Sequence, residues 1–316
     1  MTSSVLLLDL SRRDTVKAAI WRERGGIVAQ NNFYVDSVET FEAGVLDFLD
    51  QQDAPFLTAA AVSAPGWEHD GIQHMPNHGF TFNRERLRQI FNVKRLHIVN
   101  TSLARALGIS VMQESDFDIL CEGVVEPEQV KGIISVGRGM NMSMLVPDSM
   151  GGWCAFAGAG GHSDLTDTYD VETAILTFLF TKYGHVSRER VVSMQGLGEI
   201  WQALIAVEGR SSEIAPEPEV IIRLAGDGDA FARKCVNLCT GWLAASASDT
   251  ALIMGARGGI YLAGTLIEAL NDHMDRALFR SRYVSKGRLS DYVSTVPVFS
   301  VTGHNSDLLG LTTLFA

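Results

Sequence analysis

Residues 151–164 read GGWCAFAGAGGHSD and contain five glycines and one histidine, His162. Glycine adopts positive φ and lets another backbone or a ligand approach closely. This glycine density therefore predicts either a loop shaped around a ligand or a series of tight turns. For His162 two interpretations follow, a ligand contact or a hydrogen-bonded structural histidine.

The length and composition of the chain are those of a globular protein with room for two lobes. The chain has 316 residues, of which 46% are hydrophobic and 20% charged, enough for each lobe to have its own core. A net charge of -11 argues against nucleic acid or an anionic membrane surface as a partner. No apolar run is long enough for a membrane helix, and no positive residue precedes the first apolar run, so we expect a cytoplasmic protein.

The four cysteines, Cys121, Cys154, Cys235 and Cys239, are too few and too scattered for a disulfide framework. Cys235 and Cys239 would share one face of a helix and offer two metal ligands. Because no neighbouring Cys or His pair completes a tetrahedral set, we predict buried thiols and no metal site.

Apolar runs and helical periodicities predict an alternation of strands and helices. The predicted strands are 5–10, a hairpin within 16–33, 56–62, 131–136 and a strand with glycines at both ends within 258–266. The predicted helices are 38–49, 84–91, 171–183 with Gly184 as its stop, 199–207, and a long helix over 229–254 that is interrupted or ended near Ser248 and Asp249. Residues 105–131 are acidic and are predicted to be loop-like.

Two motifs carry a family resemblance. The sequence motif Gly158-x-Gly160-Gly161-His162, followed by residues 184–193 (GHVSRERVVS), is similar to the sugar-binding region of bacterial glucokinases. Further similarities run in the family's order from residue 5 to residue 310. The resemblance implies an α/β protein with the two-lobed actin-like ATPase (ribonuclease H-like) fold and an interlobe cleft. The lobes it implies are residues 1–104 with 299–316, and residues 105–298.

The resemblance also implies sugar-binding residues, of which some are kept and some replaced. Asn100, His162 and Glu189 match positions that bind sugar in the family. Thr101 occupies the position of the aspartate that acts as general base, and Ala159 that of a sugar-binding glutamate. A threonine hydroxyl does not take up a proton near neutral pH, and general-base assistance contributes about 10²–10⁴-fold.

The family's first phosphate turn, Asp-x-Gly-Gly-Thr, is altered in this chain. Asp9, which acts on the magnesium shell in the family, is kept, but Ser11 and Arg12 stand in place of the two glycines and Arg13 in place of the threonine. Side chains the size of arginine obstruct the approach of a phosphate to backbone amides. Two readings of the arginines stay open, an anion site of their own or a solvated hairpin turn.

The second phosphate loop and the adenosine-binding segment are partly kept. Gly137 and Gly139 match two of three loop glycines, with Arg138 between them, and a guanidinium is well suited to phosphate. Gly258, Gly259 and Gly264 match the family's adenosine-binding glycines, whereas a further glycine is replaced by threonine. ATP and Mg²⁺ are the cofactors that the resemblance implies.

The reaction implied by the resemblance is ATP-dependent phosphorylation of glucose at its 6-hydroxyl, a step of glycolysis. Because the replacements fall in the base, the sugar carboxylate and both phosphate loops, we predict very low or no activity. The alternatives are a regulatory pseudokinase that binds a sugar or an anion, and a kinase for another sugar, for which Asp164 or Glu189 would have to replace the base. A homodimer is usual in the family, and the sequence leaves it open here.

Overall fold

The chain folds into two compact units in a computed structural model that describes residues 3–75, 78–210 and 214–315. The first unit consists of Met1–Met112 with His304–Ala316, and the second of Gln113–Gly303. Each unit has its own hydrophobic core, so each can be described by itself.

The first unit contains one five-stranded sheet and one small three-stranded sheet. Its strands are β1 (Ser4–Asp9), β2 (Thr15–Arg22), β3 (Gly26–Tyr34), β4 (Leu57–Ala64), β5 (Trp67–His69), β6 (Ile72–Met75), β7 (Phe80–Asn83) and β8 (Arg95–Asn100). The large sheet has the order β3-β2-β1-β4-β8 and the small one the order β5-β6-β7. Strands β1, β4 and β8 are parallel, whereas β2 and β3 form an antiparallel hairpin with β1. The carboxyl ends of three parallel strands therefore lie along one edge.

Three helices and the C-terminal helix complete this unit. They are α1 (Val38–Asp50), α2 (Arg84–Phe91) and α3 (Thr101–Ile109), and, after the second unit, Ser306–Thr312. The C-terminal helix packs on α3 so closely that a Cβ on Gly310 would lie 1.7 Å from the Ala104 carbonyl oxygen. Leu308 and Leu311 of this helix are fully buried against strand residues such as Leu7. The apolar run of 5–10, the hairpin and the first two helices are confirmed.

The second unit is built on a six-stranded sheet of the order β12-β11-β10-β13-β14-β9. Its strands are β9 (Phe117–Cys121), β10 (Lys131–Val136), β11 (Met140–Pro147), β12 (Trp153–Ala157), β13 (Ile260–Ala263) and β14 (Val298–Val301). Strands β10, β13 and β14 are parallel, and β10, β11 and β12 form an antiparallel meander. The carboxyl ends of β10 and β13 are neighbours, which places the residues that follow them side by side.

The helices of the second unit form one large core with this sheet. They are α4 (Asp170–Tyr183), α5 (Met194–Val207), α6 (Pro218–Gly226), α7 (Ala230–Met254), α8 (Thr265–Leu270), α9 (Arg276–Val284) and α10 (Ser290–Thr295); the C-terminal helix is therefore α11. Gly184 ends α4 in the left-handed conformation, at φ 71°, as predicted. None of the helices within the described residues has the length and apolarity needed to cross a membrane.

Three predictions about local structure are wrong. The long helix α7 runs without a break through Ser248 and Asp249, because Ser248 donates to carbonyl oxygens of its own helix and Asp249 forms ion pairs. The stretch 105–131 is not all loop, since α3 extends to Ile109 and β9 covers 117–121. Within the glycine-rich stretch 151–164, residues 153–157 form β12, so only its second half is an irregular segment.

Candidate functional site

In the first unit, candidate residues lie at the carboxyl ends of neighbouring parallel strands. Asp9 ends β1 and pairs in register with Ser63 of β4, and Ala64 of β4 pairs with Asn100, the last residue of β8. Ligands of open α/β sheets bind at the carboxyl ends of strands. The fold thus brings Asp9 and Asn100 to one sheet edge.

Asn100 caps helix α3, and this role uses most of its hydrogen-bonding groups. Its Oδ1 accepts from the backbone N of Ser102 at 2.9 Å and from the Ser102 hydroxyl at 2.7 Å, while Nδ2 donates to the Gly66 carbonyl at 3.2 Å. An N-cap asparagine of this kind stabilises a helix by about 1 kcal/mol. The remaining Nδ2 hydrogen is the donor that Asn100 has left for a ligand.

Thr101, the residue at the general-base position, begins α3 directly after this cap. Its Oγ1 accepts from the hydroxyl of Ser63 at 3.4 Å. The pair consists of two hydroxyls, and neither oxygen is basic near neutral pH. The structure therefore places a neutral hydrogen-bonding group where the resemblance implies a base.

Asp9 is buried, with 1% of its surface exposed, and its own turn occupies both carboxylate oxygens. The Ser11 backbone N donates to Oδ1 and the Ser11 hydroxyl to Oδ2, each at 2.9 Å. Burial, and secondly the charge of Asp307, raise the pKa of Asp9 to about 6. Asp307 in α11 forms an ion pair of 2.9 Å with Arg105 of α3, which places two carboxyl groups and one guanidinium in this part of the unit.

The raised pKa of Asp9 predicts a pH-dependent stability. The folded state holds the Asp9 proton more tightly than the unfolded chain, whose pKa is about 3.8, so burying the carboxylate destabilises the fold above pH 6 and not below pH 4. Asp9→Asn should therefore raise the free energy of unfolding at pH 8 by about 2–3 kcal/mol and change it little at pH 4. Urea unfolding at both pH values measures this.

The matched control is Asp14→Asn, since Asp14 lies in the same turn but is exposed. This substitution should alter stability by no more than about 0.5 kcal/mol at either pH. Equal effects of Asp9→Asn at pH 8 and pH 4 would contradict the prediction.

The turn after β1 joins two antiparallel strands, so residues 10–14 form a hairpin turn, and an anion site at Arg12 and Arg13 stays open as the other prediction. Arg13 forms an exposed ion pair of 3.7 Å with Asp14. His78, which is 7% exposed, lies within 3.0 Å of the Arg12 carbonyl oxygen through Nε2, and burial lowers its pKa. His78 thus supports the backbone of this turn. Pro76 and Asn77, which precede it, lie outside the described residues.

In the second unit, three segments converge around Glu189. Residues 163–165 and 186–188 are joined by backbone hydrogen bonds, Leu165 N to Val186 O at 2.9 Å and Arg188 N to Ser163 O at 3.0 Å. The turn between β10 and β11 joins them, because the Glu189 Oε2 atom accepts from Met140 N at 2.8 Å. The fold therefore brings the His162 segment, the Glu189 segment and the 137–140 turn together.

The glycines of the motif are required by this convergence. A Cβ on Gly161 would lie 2.0 Å from the Met140 carbonyl oxygen, and one on Gly139 would lie 2.4 Å from Glu189 Oε2. His162 ends the 3₁₀ turn Gly160–His162 and is exposed. One carboxylate oxygen of Glu189 and the imidazole of His162 are the groups in this cluster that remain to bind a ligand.

The predicted nucleotide-binding glycines lie at opposite ends of strand β13. Gly264 follows β13 at φ 107°, and a Cβ there would lie 2.4 Å from the Val136 carbonyl oxygen; a Cβ on Gly137 would lie 3.0 Å from the Thr265 hydroxyl. Gly258 and Gly259 precede the strand and lie roughly 17–20 Å from Gly264 at strand spacing. Their small size accommodates Gln129 and Phe299, respectively.

Arg138, between the two loop glycines, is exposed at the tip of the β10–β11 turn. Within the parts of the chain that the structure describes, it has no hydrogen bond or ion pair with another residue. Its guanidinium is thus available to an anion at the edge where Gly137 and Gly264 lie.

No cluster of three or more His, Cys, Asp or Glu side chains that could hold a metal is found in residues 3–75, 78–210 and 214–315. Cys121, Cys235 and Cys239 are buried and Cys154 is exposed. Burial raises the pKa of Cys235 and of Cys239 to about 12, so both remain protonated thiols inside the core.

The residues present do not fit a magnesium ion at Asp9. Mg²⁺ prefers carboxylate oxygens with open access for water and phosphate, whereas the two oxygens of Asp9 are buried and bonded to Ser11. The edge formed by Gly137 and Gly264 keeps the small residues that a nucleotide phosphate requires. Nucleotide binding at Gly137 and Gly264 therefore stays a prediction from the resemblance.

Several side chains that shape the site were not identified from the sequence. They are Ser63, which pairs with Thr101, Met140, whose amide holds Glu189, and Asp307 near Asp9. A serine at the end of a buried apolar strand is the one local signal that could have indicated Ser63. The other two contacts depend on chain segments far apart in sequence.

The fold defines a class: the protein has the actin-like ATPase fold. Over 99% of both chains, the structure resembles the glucokinase from an Antarctic psychrotroph, with a TM-score of 0.84 and 22% identity. It resembles the glucokinase from Balamuthia mandrillaris, solved in complex with glucose, with a TM-score of 0.82 and 17% identity over 99% of this chain and 93% of the other.

Sequence comparison gives the family. The family model described as Glucokinase matches residues 16–316. A glucokinase-like protein of Caulobacter vibrioides is 32% identical over 279 residues, which cover 88% of this chain and 86% of the relative. The chain belongs to the glucokinase family.

Proposed function

We propose that this protein binds glucose or a similar hexose and phosphorylates it with ATP very slowly or not at all. The observation that carries the proposal is the pairing of Thr101 with Ser63 at 3.4 Å, two neutral hydroxyls at the position of the general base. Phosphoryl transfer depends largely on positioning and electrostatics, so loss of the base slows the reaction without removing binding. The predicted binding residues are Asn100, His162 and Glu189.

The contacts of Glu189 and Asp164 give little support to a replacement base. Glu189 Oε2 is bonded to the Met140 amide, and the Asp164 Oδ1 atom lies 2.8 Å from His185 Nε2. One oxygen of each carboxylate is therefore already bonded to another residue of the chain. We therefore rank a kinase for another sugar below a slow or inactive glucokinase relative.

A regulatory protein that binds a sugar or an anion is the second candidate. The exposed Arg138 at the β10–β11 turn favours it, because a guanidinium at this edge can hold a phosphate or another anion without any transfer step. In that case ligand binding, rather than turnover, would be the function.

A coupled assay of glucose phosphorylation with ATP and Mg²⁺, run beside thermal-shift titrations of glucose and of ATP, tests the proposal. We expect a glucose-dependent rise in melting temperature and turnover far below about 1–100 s⁻¹, the ordinary range for kinases. Turnover within that range would contradict the proposal. A shift with ATP or phosphate but none with glucose would favour the anion-binding candidate.

A further inference from the structure

Asp249 of helix α7 connects three separate parts of the second unit. Its Oδ2 accepts from Arg188 Nη2 at 3.0 Å, and its Oδ1 accepts from Lys286 Nζ. The side chain of Asp249 is 24% exposed, that of Arg188 12% and that of Lys286 20%. Both oxygens of the carboxylate are therefore held, and the carboxylate itself stands on the longest helix of the described residues.

Arg188 directly precedes Glu189 in the 3₁₀ turn Arg188–Arg190. A 3₁₀ helix has three residues per turn, so successive side chains point about 120° apart. Holding the Arg188 side chain on α7 therefore restrains the turn of backbone that also carries Glu189. Both backbone polar groups of Arg188 are hydrogen-bonded: its N donates to Ser163 O, and its O accepts from Val192 N.

We propose that Asp249, acting through Arg188, is a positioning residue that orients Glu189 toward its ligand. Glu189 is held from one side by the Met140 amide and, through Arg188, from the other side by α7. This two-sided support leaves one Glu189 oxygen presented in a fixed direction. The ligand would be a polyol such as a hexose, and this part of the inference rests on the proposed function.

The test compares Asp249→Asn and Arg188→Gln with a matched control, Glu208→Gln. Glu208, at the end of α5, forms an ion pair of 2.7 Å with Lys234, which lies in α7 as Asp249 does. The Glu208 side chain is 34% exposed and the Lys234 side chain 43%. Each substitution removes one charged partner from an ion pair that involves α7. Only the first two alter the network next to Glu189.

Amide hydrogen exchange of the full chain without ligand measures the positioning itself. In Asp249→Asn and Arg188→Gln we expect exchange to accelerate about tenfold in peptides covering 186–192 and 137–141, with no change in α5 or in the control. Unchanged exchange in both peptides would overturn the inference. An equal acceleration throughout the second unit would also overturn it, since that result means a general loss of stability.

Glucose titration of the same variants measures the consequence for binding. We expect the Kd for glucose to rise about tenfold in Asp249→Asn and in Arg188→Gln. Arg188→Lys keeps the charge, so its Kd should lie between that of Arg188→Gln and that of the wild type. In any residual phosphorylation the KM for glucose should rise while kcat stays within about twofold. A Kd unchanged from that of the wild type would overturn the role in binding.

The two readouts separate the inference from the proposed function. If the wild type does not bind glucose but exchange accelerates locally as expected, the proposed function fails and the positioning of Glu189 by Asp249 stands. If the wild type binds glucose and neither variant changes exchange or affinity, the positioning role fails and the proposed function stands.

Discussion

Replacing Glu172 by alanine is expected to lower the free energy of unfolding by about 3–5 kcal/mol. Glu172 of α4 and Arg282 of α9 form an ion pair whose side chains are each 3% exposed, with Arg282 Nη2 at 3.0 and 3.1 Å from the two carboxylate oxygens. Without Glu172 the guanidinium remains charged and buried. An uncompensated buried charge costs several kcal/mol.

The surroundings of this pair offer the guanidinium little other compensation. The Tyr169 ring lies under it, 4.7 Å from its central carbon to the ring centroid. The Nε atom of Arg282 is buried and has no hydrogen-bond partner among the described residues. The Thr168 amide, which donates to Glu172 Oε2 at 2.8 Å, would lose its acceptor in the same variant. The loss at Thr168 adds to the cost of leaving the guanidinium unpaired.

Urea unfolding of Glu172→Ala beside two comparison variants measures the effect. Glu126→Ala removes an exposed partner of Arg257 and should cost no more than about 1 kcal/mol. The double variant Glu172→Leu with Arg282→Met replaces the pair by apolar side chains and should recover most of the lost stability. If the double variant is as unstable as Glu172→Ala, the loss comes from packing, and the explanation by buried charge is wrong.

The secondary structure was predictable wherever local pattern and tertiary packing agree. The apolar run at 5–10 and the amphipathic pattern at 84–91 each encode their element locally, and both elements form. Helix α7 was misjudged because Ser248 and Asp249 resemble a helix end locally. Their polar groups are satisfied by the helix backbone and by Arg188 and Lys286, which sequence spacing does not reveal.

The topology contains a repeat that the sequence does not show. The first sheet has the order β3-β2-β1-β4-β8, and the first five strands of the second sheet have the order β12-β11-β10-β13-β14. Each begins with two antiparallel strands and continues with three parallel ones. A fold can be duplicated while its residues diverge, because strand pairing depends on backbone hydrogen bonds and on apolar pattern rather than on residue identity.

The sequence indicated which residues belong to the candidate site but not which contacts they make. The motifs indicated His162 and Glu189, and the structure brings their segments together through residues 163–165 and 186–188. The sequence did not reveal that the Met140 amide holds Glu189 or that Ser63 pairs with Thr101. These contacts join residues 38 and 49 positions apart, so only the fold determines them.

Restoring both missing carboxylates, by Thr101→Asp with Ala159→Glu, is expected to tighten glucose binding by roughly 10²–10⁴-fold. A hydrogen bond to a charged group is worth about 1.5–3 kcal/mol, and each new carboxylate would supply one or more to sugar hydroxyls. Thr101 is the first residue of α3, where a negative charge also interacts favourably with the helix dipole. Ala159 is exposed and has a negative φ, -115°, so glutamate meets no greater backbone restriction there than alanine does.

Titration calorimetry with glucose measures the gain, beside the uncharged counterpart Thr101→Asn with Ala159→Gln. The counterpart has nearly the same size and hydrogen-bonding reach, so a gain confined to the carboxylate variant isolates the effect of charge. Affinities equal to that of the wild type in both double variants would show that the replaced positions do not face the sugar. The assignment of Thr101 and Ala159 to the sugar site would then be wrong.

Turnover in the carboxylate variant is expected to remain low although a base is restored. Asp9 would still be buried with both oxygens bonded to Ser11, and Ser11 and Arg12 would still stand where a phosphate turn needs glycines. General-base assistance multiplies a rate by about 10²–10⁴ only when the phosphoryl group is positioned. If turnover instead reaches about 1–100 s⁻¹, the altered phosphate turn is adequate and the missing base alone accounts for the slow reaction.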